Sequence, residues 1–220
     1  MMLAHPQIDA QFVTGENAVC SLVVENQDFF RAFLQDICAQ TEGNAGDAVL
    51  SDDNRLLSFS ANAELIDSYI GFTVNRKPLL TKIISALEKQ AVGEHYLQTM
   101  ELLTAAERLV DEISFTFPCT LSCAKLNIGT ILKSVGIEVD EEGNDPMERL
   151  LDYMELTREF DRDKLFLLVN LRSYFPDEKV SLFLQTVLGH GYHVIMIDGR
   201  DYQRLPEERR VTIDKDLCEF

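Results

Sequence analysis

Hydrophobic and polar positions change their period twice along the chain. In the first sixty residues sheet and helix signals alternate. Ala18–Glu25 (AVCSLVVE) is an unbroken apolar run of the length of a buried strand. Asn26 follows it as a helix cap. Phe29, Phe30, Phe33, Leu34, Ile37 and Cys38 then fall on one face of an α-helix. Short strand-like pieces surround Val49, Leu50 and Leu56–Phe59.

From Asn62 to Phe160 the spacing is mostly helical. Asn62 caps a predicted short helix carrying Leu65, Ile66, Tyr69 and Ile70. Pro78 suits the first turn of the next, which places Leu79, Leu80, Ile83, Ile84 and Leu87 on one face. Beyond Gly93 the pattern runs on through Tyr96, Leu97, Met100, Leu103, Leu109, Val110 and Ile113. Leu126–Val135 reads as a shorter helix closed by Gly136, and Asp145–Pro146 as the cap and first turn of another. Ser114–Cys123 is β-like or irregular, and Pro118 argues against a central strand there.

The last sixty residues return to α/β. Lys164–Asn170 (KLFLLVN) and Tyr192–Asp198 (YHVIMID) are continuous apolar strands. Between them Pro176 opens a helix that Gly189 closes. Such a strand–helix–strand unit implies a parallel pair with a right-handed crossover. The resulting expectation is a discontinuous α/β domain from residues 1–61 and 161–220, with an inserted, mainly helical domain over 62–160.

Charge narrows the functional classes. The chain has 220 residues and a formal net charge of −17, so its average face repels a polyanion. Two long stretches nevertheless contain no acid. Ser68–Leu87 carries Arg76, Lys77 and Lys82; Ile113–Ile137 carries Lys125 and Lys133. The ordinary account is a solvated helix edge for each. If the two share a surface, an acidic protein still presents a local basic one. No apolar run is long enough to span a bilayer, and the N-terminus has no signal-peptide pattern, so the expectation is a soluble cytoplasmic protein. The five cysteines show no framework spacing and read as reduced thiols.

Familiar chemistries find little support. A phosphate loop needs glycines and a lysine between strand and helix, because backbone N–H groups and the ammonium hold the phosphates. After Val24 the chain reads Glu25-Asn26-Gln27-Asp28-Phe29-Phe30, with neither. Leu165–Val169 resembles a magnesium-binding strand but ends in neutral Asn170. Cys119, Cys123, His190 and His193 have spacings near those of zinc ligands, but a packed histidine is the commoner account of His193. No nucleophile elbow is present, and the paired carboxylates read as solvated surface.

Several strings, in order and spacing along most of the chain, resemble one family. They are Asp28–Asp36 (DFFRAFLQD), Gly71–Leu80 (GFTVNRKPLL), Ile131–Ile137 (ILKSVGI), Leu165–Pro176 (LFLLVNLRSYFP) and Ile213–Asp216 (IDKD). The family is the short form of the DNA-end-binding spacer-acquisition protein of type II-A CRISPR–Cas systems. The resemblance implies a degenerate P-loop-ATPase-like α/β head with a helical leg, and no catalysis and no nucleotide. It implies a homotetrameric ring that threads double-stranded DNA ends through a lysine-lined hole. The implied partners are the CRISPR integrase and the RNA-guided effector nuclease.

By the same resemblance Lys133 matches the family's lysine in the Lys-Ala-Leu-Gly segment. Lys125, Arg76, Lys77 and Lys82 join it as DNA-contact candidates on charge pattern alone. The resemblance also implies calcium. Where the family carries a carboxylate-rich stretch, however, this chain has Thr116–Ala124 without an acid. Asp111 and Glu112 upstream, and Glu138 and Asp140 downstream, are the remaining candidate oxygen ligands. A calcium-free ring held by apolar contacts around Phe115 and Phe117 is the other form. Two further classes stay open at this point: a nucleotide hydrolase with an atypical phosphate site, and a scaffold whose only partners are proteins.

Overall fold

The computed structural model describes residues 1–119, 121, 125–143 and 145–220. In chain order the elements are β1 (Met2–His5), β2 (Ile8–Val13), β3 (Val19–Val24), α1 (Gln27–Thr41), β4 (Val49–Asp52), β5 (Arg55–Leu57), α2 (Phe59–Asn62), β6 (Ala63–Ile66), α3 (Lys77–Val92), α4 (Tyr96–Ser114), α5 (Ile128–Val135), α6 (Pro146–Phe160), β7 (Leu165–Val169), α7 (Asp177–His190), β8 (His193–Asp198) and β9 (Glu208–Ile213). A 3-10 turn, Leu171–Ser173, follows β7. The chain divides into two compact units, Met1–Thr73 with Gly143–Phe220, and Val74–Glu142.

The first unit is mixed α/β. Its main sheet has five parallel strands in the order β6-β7-β8-β3-β9, and a small antiparallel sheet has the order β2-β1-β4-β5. β3 is buried at all six positions, as a strand covered on both faces must be. One face of the parallel sheet presents Cys20, Leu22, Leu165, Leu167, Ile195 and Ile197. These pack with Phe33 and Ile37 of α1 and with Leu3, Phe12 and Leu50 of the small sheet. Alternate positions carry the opposite face, where Tyr153 of α6 sets its ring edge against Phe166 and α7 packs near β3. Asn26 starts α1 as expected, its Oδ1 accepting from Phe29 N at 3.0 Å.

A buried ion network ties this second face together. Arg172, in the 3-10 turn, donates to Glu208 of β9 at 3.2 Å and to Asp177 at the start of α7 at 2.8 Å. Its side chain and that of Glu208 are 1% and 0% exposed. Arg210 donates to the same Glu208 oxygen at 2.6 Å. Desolvating these charges is costly, and their mutual attraction offsets that cost only while every partner is present.

In the second unit α3, α4 and α5 pack as helices. Thr99 Oγ1 donates to Ala91 O at 2.8 Å across the turn at Gly93, joining α4 to α3. Of α4, Thr99 alone is buried.

Three expectations are corrected. The segment after Asn62 is strand β6, not a helix, because parallel pairing with β7 and burial of Ala63 and Ile66 outweigh the local helical spacing. α6 also belongs with the first unit, whose Glu64 accepts from Tyr153 Oη at 2.7 Å, so the inserted unit is shorter than 62–160. α7 ends at Gly191, with φ 67°, rather than at Gly189. β1, β2 and β9 were not anticipated.

Arg172→Ala leaves Glu208 and Asp177 short of a partner, and the expected loss of stability is about 3–5 kcal/mol. Urea unfolding of parent and variant measures it; a loss within experimental error would show that the network contributes nothing.

Candidate functional site

The two acid-free stretches meet in the second unit. Gly129 lies against Glu88, near the end of α3, so closely that an added Cβ would stand 2.7 Å from the Glu88 carboxylate. At the other end Gly136, with φ 74°, closes α5 and turns the chain back. Val139 and Glu141 then bond to Asn75, just before α3 begins. The two anchors set α5 and its tail antiparallel to α3. Arg76, Lys77 and Lys82 of one stretch and Lys133 of the other therefore belong to one two-helix layer.

Lys77 and Lys133 are exposed; Arg76 and Lys82 are half-buried. Lys125 is exposed in the segment leading into α5. Lys133 sits in the last turn of α5, where a cation also interacts favourably with the helix dipole.

α4 presents a second feature. Leu97, Met100, Leu102, Leu109, Val110 and Ile113 are all exposed, and Phe115, which follows the helix, is 86% exposed. These positions leave several large apolar side chains of α4 in contact with water.

The four carboxylates chosen as metal ligands do not gather. Asp111 and Glu112 lie exposed near the end of α4, and Glu138 and Asp140 lie exposed beyond α5. Among the described residues no group of three or more His, Cys, Asp or Glu side chains comes together. Calcium takes six to eight oxygens, so this donor set does not fit the ion within one chain. For zinc, Cys123 lies outside the described residues and Cys119 is exposed. His193 bonds Thr14 Oγ1 at 2.8 Å, and His190 stacks on Tyr192, so both are packed rather than grouped with the thiol.

In the first unit the carboxyl edge of the parallel sheet is the usual place for a ligand in such folds. Here it is closed by the chain itself. The Phe30 ring lies 3.3 Å from where a Cβ of Gly199 would stand. Asn170, with φ 52°, accepts from Gly199 N at 2.9 Å, and Asn26 Nδ2 donates to Lys215 O at 2.9 Å.

Beside this edge lies a group that sequence reasoning missed. Asp198 is 1% exposed, and neither of its oxygens has a hydrogen-bond partner. Burial pushes its carboxyl up to about 7, with Glu208 adding to the rise and Arg172 and Arg210 opposing it. Nothing in the apolar string that ends at Asp198 signals this.

The architecture defines a two-unit protein with a mixed α/β unit on a parallel sheet and a separate three-helix unit. No helix among the described residues is long and apolar enough to cross a membrane. The family model described as CRISPR-associated protein (Cas_Csn2) matches residues 40–217, and the chain belongs to this family. Its role is thus CRISPR-associated. A comparison with individual curated proteins found no match.

The raised Asp198 carboxyl makes stability depend on pH. Between about pH 4 and 7 the folded state holds a proton that the unfolded chain releases, so this group favours folding at the acid end and opposes it as pH rises through about 7. Asp198→Asn removes the charge while keeping the shape. Its Tm advantage over the parent is expected to be largest at pH 8 and clearly smaller at pH 5. Equal differences at both pH values would rule out this ionisation.

Proposed function

We propose that the protein binds the ends of double-stranded DNA during CRISPR spacer acquisition, without catalysing a reaction. In this reading it acts as a homotetrameric ring whose hole is lined by lysines. It works beside the CRISPR integrase and the RNA-guided effector nuclease. The carrying observation is the α3/α5 layer, which collects Arg76, Lys77, Lys82 and Lys133 from two acid-free stretches in a chain of net charge −17. Phosphate contacts need cations grouped on one surface, and an acidic exterior elsewhere directs duplex DNA to that surface.

The exposed apolar positions of α4 support the ring, since a second copy would remove them from water. Closure of the ring by four copies follows the usual preference for symmetric homo-oligomers. A degenerate P-loop-ATPase-like head is supported by the all-parallel order β6-β7-β8-β3-β9. The segment between β3 and α1, free of glycine and lysine, supports the absence of nucleotide hydrolysis. Nothing in the proposal is routed through calcium, because the carboxylates among the described residues of one chain do not assemble a site for it.

Gel shifts with linear and closed circular duplex of equal length, repeated with calcium and with chelator, test the reading. Linear duplex is expected to bind preferentially, with affinity falling steeply as salt rises. Lys133→Glu is expected to weaken binding by about tenfold or more, through a lost phosphate contact and added repulsion. Undiminished binding by this variant, or a monomer in light scattering, would count against the ring. Turnover of ATP or GTP would favour the hydrolase. Absence of duplex binding at every salt concentration, with a stable complex with the integrase, would favour the protein scaffold.

A further inference from the structure

The contact between the start of α3 and the tail of α5 is made by side chains acting as backbone. The Asn75 carboxamide exchanges two hydrogen bonds with one residue. Its Nδ2 donates to Val139 O at 2.9 Å, and its Oδ1 accepts from Val139 N at 2.7 Å. Opposed residues in an antiparallel ladder exchange bonds in the same paired way. Glu141 strengthens the joint from the other side. Its Oε1 accepts from Val74 N at 2.5 Å, from Asn75 N at 3.2 Å and from Asn75 Nδ2 at 3.1 Å.

The residue type is strictly constrained. Aspartate at position 75 would lose the donor to Val139 O and would place a second carboxylate against Glu141. Alanine would lose both bonds to Val139. Glutamine would displace the amide by one methylene from a partner that requires donor and acceptor together.

The place of this joint matters as much as its chemistry. Asn75 directly precedes Arg76 and Lys77. Val139 lies only a few residues beyond Lys133, across the left-handed turn at Gly136. At the far end of α5 Gly129 is seated on Glu88. The helix bearing Lys133 is thus held on α3 at both ends, and Asn75 forms the end nearest the start of α3.

We infer that Asn75 is a positioning residue for duplex DNA: by clamping Val139, with Glu141 in support, it holds Lys133 and the basic start of α3 in one fixed arrangement. The inference rests on the duplex-binding reading. Asn75 itself touches no phosphate in this account. It restricts the motion of cations that do, so less freedom is lost when the polyanion binds. Without the clamp Val139 loses both of its bonds to the Asn75 side chain, and Glu141 keeps its bonds to the backbone N–H groups of Val74 and Asn75. Lys133 then no longer reaches the phosphate that it contacts in the clamped arrangement.

The test is a double-mutant cycle on the full chain with linear duplex over a range of salt concentrations. Its members are the parent, Asn75→Ala, Lys133→Ala and the double variant, each first checked by thermal unfolding. Asn75→Ala is expected to lose about tenfold in affinity and to lower the salt slope by about 0.9, the value of one phosphate contact. The double variant is expected to be little weaker than Lys133→Ala, because the two changes remove the same contact.

A merely structural loss would leave the salt slope unmoved and would add to the effect of Lys133→Ala. Either result overturns the positioning role and leaves the duplex-binding reading intact. A parent that binds no duplex at any salt concentration overturns both. Should Asn75→Ala fail to fold, Asn75→Leu takes its place in the cycle, since it keeps the side-chain volume and loses both bonds to Val139. A folded Asn75→Leu with the parent's salt slope also overturns the inference.

Discussion

Parallel pairing of β6 with β7 is the constraint on which the organisation depends. Parallel neighbours cannot be joined by a tight turn; the chain must leave the carboxyl end of one strand and return to the amino end of the next. Here that crossover contains α3, α4 and α5, the whole of the second unit, before α6 leads back to β7. The connection that a parallel sheet requires has become a separate helical unit, and the candidate cations Arg76, Lys77, Lys82, Lys125 and Lys133 are in it. The first unit is stabilised without them, by its two apolar faces and by the buried Arg172–Glu208–Arg210 network.

The two units differ in what they leave unsatisfied. The first unit buries the central strands β3, β7 and β8, and Phe30, Asn170 and Asn26 pack at the carboxyl edge of its parallel sheet. Its buried Asp198 has no hydrogen-bond partner, and burial pushes the carboxyl up to about 7. The second unit keeps only a few side chains buried and exposes most of α4.

Membership of the Csn2 family of CRISPR-associated proteins and the physical reading are independent supports. The family match says nothing about which side chains meet. The side-chain geometry says nothing about CRISPR. The strings GFTVNRKPLL and ILKSVGI lie at the start of α3 and along α5, two helices that pack together.

Local chemistry in the sequence determined the elements whose signals are local. Asn26 and Asp145 cap helices through their own side chains, Gly136 ends α5 because glycine tolerates positive φ, and the run from Val19 to Val24 is apolar enough to need cover on both faces. The sequence also supplied the two acid-free stretches. Tertiary structure decided what depends on partners distant in the chain. β6 became a strand because β7 lies beside it, and β9 because β3 does. The candidate carboxylates stayed apart, and Asp198 was enclosed. The start of α3 met the tail of α5 because Asn75 fits the backbone of Val139, a match between groups too far apart in sequence for any local pattern to record.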